Sequence, residues 1–156
     1  MANRSDSLTN LALLLLRVVA GAVIFYYGCQ KFLGVFGGAG FSATLSMFQK
    51  GMGIPPMFGA LAIIAEFFGG LGLLLGALSR IAAFGIVSTM AVAVYLKITQ
   101  MTTLVADFSS KDPAVQNPIL GPAYPLLVMV AAAAIMLMGP GDWSVDKKLF
   151  GSRGKR

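Results

Sequence analysis

The chain has no histidine and a single cysteine, Cys29, among 156 residues. One cysteine excludes an intrachain disulfide and any paired-cysteine redox or zinc motif. The absence of histidine removes the usual haem ligand and the commonest ligand of zinc, copper and non-haem iron. Neither haem nor metal is therefore expected, and any redox chemistry must be borrowed from a bound molecule or a partner. No glycine-rich dinucleotide fingerprint, P-loop or nucleophile elbow stands in a suitable strand–turn–helix setting, so no catalytic residue is assigned. Charge is scarce as well, at 12% of residues, against about 25% in ordinary soluble domains.

What is abundant is apolar surface. Hydrophobic residues make up 57% of the chain and mean hydropathy is +0.81, the composition of an integral membrane protein. The net charge of +6 is gathered largely in a tail carrying Lys147, Lys148, Arg153, Lys155 and Arg156. Beside an apolar segment this reads as a topology signal that meets anionic lipid, not as a nucleic-acid surface.

The chain reads as one all-α membrane domain over residues 1–156, a four-transmembrane-helix antiparallel bundle. Its spans are expected at about 8–30, 57–78, 81–98 and 122–138, with a basic tail at 142–156. Ala20-Gly21-Ala22 has the look of a signal-peptide cleavage site, yet Arg17 interrupts the apolar run, which then continues past the site. The first segment is read as a retained span. Arg17, Gly21, Ile24, Gly28 and Lys31 follow a four-three-four-three spacing, which places them on one inward helix face. In the first connection Phe41, Leu45, Phe48 and Met52 share a face, predicting a short interfacial helix that serves as connector or lid. The second span carries Ala65-x-x-x-Gly69 and Gly72-x-x-x-Gly76, small-residue spacings suited to close packing within the bundle or in a homo-oligomer. The Lys and Arg distribution predicts both termini in the cytoplasm.

The second span contains one carboxylate, Glu66. At about 1.5 Å per residue the span crosses a hydrocarbon core of roughly 30 Å, and an ionised group at its centre opposes insertion by a few kcal/mol. The other charge within an apolar segment is Arg17, so an intramembrane Arg17–Glu66 ion pair is predicted near the midplane. Above it Tyr27, Gln30, Lys31, Tyr95, Lys97 and Gln100 form a candidate ligand-binding pocket. Such groups hydrogen-bond carbonyl oxygens of a quinone-like headgroup, although tyrosine and lysine also concentrate at membrane interfaces for their own reasons.

Several stretches in order resemble the DoxX family of small bacterial membrane proteins. They are Leu14-Leu15-Leu16-Arg17-Val18-Val19-Ala20-Gly21, Gly28-Cys29-Gln30-Lys31-Phe32-Leu33-Gly34, Glu66-Phe67-Phe68-Gly69-Gly70-Leu71-Gly72-Leu73, Ser79-Arg80-Ile81-Ala82-Ala83, Tyr124-Pro125-Leu126 and Gly139-Pro140-Gly141-Asp142-Trp143-Ser144-Val145-Asp146. The resemblance implies a four-helix protein of the inner membrane that serves respiratory or stress-related redox chemistry. It also implies a quinone, a soluble or membrane redox partner, and roles for Arg17, Gln30, Lys31, Glu66 and Arg80. The chain departs from the pattern at Tyr27, Ala123 and near Lys97, where many relatives carry histidine, glutamate and histidine. The combined reading is a quinone- or lipid-interacting accessory subunit of a membrane oxidoreductase, not a self-sufficient enzyme. A small-solute or proton-coupled transporter and a non-catalytic, partner-binding bundle stay open as alternatives.

Overall fold

Pro55 and Pro56 show how the sequence sets the helix ends. Pro55 takes an extended conformation as N-cap and Pro56 occupies the first helical turn, where the missing N–H would have had no partner. The computed structural model describes residues 4–104 and 120–150. Among these it forms six helices and no strand: α1 Arg4–Phe32, α2 Gly40–Met52, α3 Pro56–Leu75, α4 Ser79–Leu104, α5 Leu120–Met138 and α6 Val145–Phe150. Of these, α1, α3 and α4 are long and apolar enough to cross a membrane, and Pro122–Met138 of α5 is a shorter apolar helix. Residues 105–119, which carry Asp107, Lys111 and Asp112 between the third and fourth expected spans, lie outside the described residues. So do Arg153, Lys155 and Arg156 of the tail.

α3 is the hub, in contact with α1, α2 and α4. Its glycines explain why. A side-chain carbon on Gly28 of α1 would stand 2.6 Å from Phe67 Cα, and one on Gly21 would stand 2.6 Å from the Leu74 amide. Seven residues forward on α1 therefore move the contact seven residues back on α3, so the two helices run in opposite directions. Without a hydrophobic driving force between helices in lipid, this backbone proximity, repeated where Gly69 meets Ile86 and Ala82 of α4, supplies the packing attraction. The core joins Ile24, Leu73, Ala83, Ile86, Met90, Val128, Ala132 and Ile135 from four helices. Many large apolar side chains remain exposed outside it, among them Leu15, Val19, Leu127 and Leu137, as expected of helices that face lipid.

The helix expected in the first connection is present as α2. It ends on Gly53 in the left-handed conformation, with the Gly53 and Ile54 amides both donating to Phe48 O. The basic tail has structure of its own. After Gly139 and Gly141, both at positive φ, it forms the short helix α6. The Asp146 carboxylate there accepts from the amides of Leu78 (2.6 Å) and Ser79 (2.8 Å), which caps α4 from a distant part of the chain.

Candidate functional site

Glu66 lies on the buried side of α3, and its charge is met by Lys31, whose Nζ lies 2.5 Å from Oε2. The predicted Arg17–Glu66 pair does not form. The α1–α3 register is the reason: Gly28, not Arg17, lies against the backbone of Glu66 and Phe67. Arg17 is eleven residues back from Gly28 along α1, about 16 Å at the helical rise. The first span is expected to stop at about residue 30, whereas the helix runs through Phe32 and carries Lys31 level with Glu66. Both cations of the four-three-four-three face turn inward, each to a different partner.

Arg17 is level with the end of α3. Its Nη1 donates to Pro140 O at 3.2 Å and its Nη2 to Trp143 O at 2.7 Å. The guanidinium passes so close over Gly76 that no side chain fits there, and Gly76 also takes a positive φ as the C-cap of α3. The Asp146 amide donates to Gly76 O, which closes a knot of α1, the α3 end, the α4 start and the tail. Among the described residues, Arg17 Nε and Ser79 Oγ are buried without a hydrogen-bond partner.

The Lys31–Glu66 pair opens onto a cavity of about 520 Å³ bounded by α2, α3 and α4. That volume falls within the range of roughly 300–1,000 Å³ typical of small-molecule sites. Phe48 and Met52 come from α2, Phe58, Leu61 and Ala65 from α3, and Phe84, Val92 and Leu96 from α4. Among the described residues the wall is otherwise polar only at the pair, at Ser88 and Thr89, and at Lys97. Ser88 and Thr89 donate to the carbonyls one turn back, of Phe84 and Gly85, and keep oxygen lone pairs for an incoming donor. Lys31 Nζ also lies 5.8 Å from the Phe48 ring centroid, within cation–π range. One of its three N–H donors meets Glu66, and the side chain keeps 29% exposure against 4% for Glu66. The lysine is thus the member of the pair that can also serve a ligand.

Of the predicted pocket residues, Lys31 and Lys97 line this cavity. Tyr27 instead packs its ring 5.5 Å from that of Tyr124, tying α1 to α5. Gln30 donates to Tyr26 Oη and to Phe36 O, fixing the turn that leads into α2. Tyr95 is exposed. The Gln100 side chain lies outside the described residues. Phe48 and Met52 come from the face expected of the connector or lid helix, whereas Phe58, Leu61, Ala65, Phe84, Val92 and Leu96 are ones the sequence offered only as ordinary apolar or small positions. Ser88 and Thr89 in an apolar helix were the readable signal.

Apolar helices around a closely packed α3, with one charged pair facing an apolar cavity, define a polytopic helical membrane protein with a candidate ligand site. The DoxX family model matches residues 12–100, more than half of the chain, and the protein belongs to the DoxX family. The match takes in Arg17, Lys31, Glu66 and the described walls of the cavity. No curated protein and no solved structure matches the chain.

Proposed function

We propose that this DoxX-family protein is an accessory subunit of a membrane oxidoreductase or redox-stress system that holds a quinone or a quinone-like lipid. We place it in the inner membrane as four antiparallel spans with both termini in the cytoplasm. The observation that carries the reading is the Lys31–Glu66 pair at the edge of an otherwise apolar cavity. A quinone has an apolar body and carbonyl oxygens that accept hydrogen bonds. The apolar walls suit the first, and the free N–H groups of Lys31 suit the second. A bound quinone would supply two-electron chemistry that no side chain of this protein offers. The electrons themselves would come from a separate carrier protein.

The test is purification in native lipid followed by mass spectrometry of the extracted small molecules, with Lys31→Ala and Glu66→Gln alongside. About one quinone per chain in the wild type, lost from Lys31→Ala, is the expected result. Bulk phospholipid alone in all three samples would sink the quinone reading. The pair also bridges α1 and α3, and this favours a second reading in which it is only a helix clip. A Lys31→Leu/Glu66→Leu double variant that folds and supports growth under redox stress as the wild type does would select that reading.

A further inference from the structure

A second cleft, of about 660 Å³, lies where α4 begins and α5 ends. Its floor includes the Gly139–Gly141 turn, and its flanks include Asn10, Leu78, Arg80, Ile81, Met138 and Lys147. The apolar spans of α4 and α5 begin and end at Ser79 and Met138. The cleft therefore sits at the ends of apolar helices, where a bilayer changes from acyl chain to headgroup.

The charges there are unequally used. Asp142 is held by Lys147 at 2.9 Å and by Asn10 at 2.7 Å. Asp146 is occupied by the amides of Leu78 and Ser79. Lys147 is already paired through that contact with Asp142. Arg80 lies over Gly139, where a side-chain carbon would stand 3.7 Å from its Nη2. It has no hydrogen bond or ion pair among the described residues. Next to this free guanidinium, Leu78, Ile81 and Met138 are all exposed. A planar cation with several donors beside an exposed apolar flank matches a phosphate oxyanion attached to acyl chains. We propose that this cleft binds the headgroup of an anionic glycerophospholipid, with Arg80 as the phosphate anchor.

Native mass spectrometry of the full chain, titrated in detergent with phosphatidylglycerol or phosphatidylcholine, tests this. The variants are Arg80→Ala, Arg80→Gln and, as a control cation outside the cleft, Lys148→Ala. One retained phosphatidylglycerol per wild-type chain is expected, with retention on the order of tenfold weaker in both Arg80 variants. Lys148→Ala should bind as the wild type does, and excess inorganic phosphate should not displace the lipid. Equal retention in the Arg80 variants, or an equal loss in Lys148→Ala, would overturn the site. Displacement by inorganic phosphate would overturn the lipid assignment. Should the Arg80 variants fail to fold, the wild type still decides. Its melting temperature must rise more in phosphatidylglycerol than in phosphatidylcholine vesicles, and equal values reject the proposal.

Discussion

Two charged side chains are buried to the same degree in this protein, Arg17 and Glu66, each 3% exposed, and they are treated in opposite ways. Arg17 is bonded to two backbone carbonyls in a closed knot of four chain segments. Glu66 is bonded to one flexible side chain whose other face looks into a cavity. A guanidinium bonded to carbonyls fixes backbone, and the nitrogen it has left, Nε, is buried away from the cavity. A carboxylate bonded to a half-buried lysine leaves that lysine with donors to spare. Burial alone therefore does not distinguish a structural charge from one at a ligand site. The partner's freedom does.

Breaking the knot should have the largest effect. Arg17→Leu strips the partly buried Pro140 O and Trp143 O of their donor, leaves no side chain to hold the tail turn, and each lost charge-assisted bond is worth about 1.5–3 kcal/mol. The expected total is about 3 kcal/mol or more, seen as a large fall in the detergent melting temperature. It should also loosen the tail, so that α6 becomes open to protease. A wild-type melting curve for Arg17→Leu would mean that the knot is dispensable.

Next comes the backbone contact that sets up the pair. In Gly28→Ala the new carbon meets Phe67 Cα at 2.6 Å and the Glu66 carbonyl carbon at 2.9 Å, so α1 and α3 must separate. Overpacking of this kind costs about 1–3 kcal/mol, and it should move Lys31 off Glu66 and lower ligand retention with it. Gly51→Ala is the matched control. Nothing lies within 4 Å of its new carbon, and in the last turn of α2 the change should cost nothing and add at most about 0.5 kcal/mol. If both variants melt alike, glycine proximity does not hold the bundle.

The pair itself should break asymmetrically. Lys31→Met leaves a carboxylate at 4% exposure without a partner, whereas Glu66→Gln leaves a lysine at 29% exposure that can turn toward the cavity. Removing the lysine should therefore destabilise the fold by about 2–3 kcal/mol and removing the glutamate by about 1 kcal/mol. Equal losses would show that Lys31 is as confined as Glu66, and the contrast with Arg17 would disappear.

These contrasts were unevenly legible in the sequence. The inward face of α1 was readable because its spacing places Arg17, Gly21, Ile24, Gly28 and Lys31 on one side of a helix. Which cation meets Glu66 was not. That depends on where α1 stops, and an apolar run that fades through Tyr26, Tyr27 and Gln30 gives no sharp end. The cavity wall was hidden for a different reason. Helices that are apolar all round carry little periodic contrast, so Phe58, Leu61 and Phe84 look no different from residues facing lipid. The membrane class and the small-residue contacts survived because they rest on composition and on the absence of side chains. The tail helix went unread although Ser144 carries a cap signature, with its hydroxyl accepting from the Lys147 amide at 3.1 Å.

The smallest effect sits at the rim of the knot and sharpens its boundary. Lys147 and then Asn10 hold the Asp142 carboxyl below the ordinary aspartate range. A carboxyl whose pKa is lowered in the fold contributes stability that is complete above the unfolded value and is lost as pH falls through the folded one. The Asp142 side chain is 53% exposed, so water and salt screen the contribution. Asp142→Asn should therefore melt slightly below the wild type at neutral pH in low salt. The gap should close as pH falls through the lowered folded pKa, below the ordinary aspartate range, or in high salt, because protonation or screening then removes in the wild type what the substitution removes. A gap that persists under both conditions would mean that Asp142 acts through its backbone turn with Asn10, whose Oδ1 accepts from the Asp142 amide at 3.1 Å. The closed region would then extend to the surface through hydrogen bonds and not through charge.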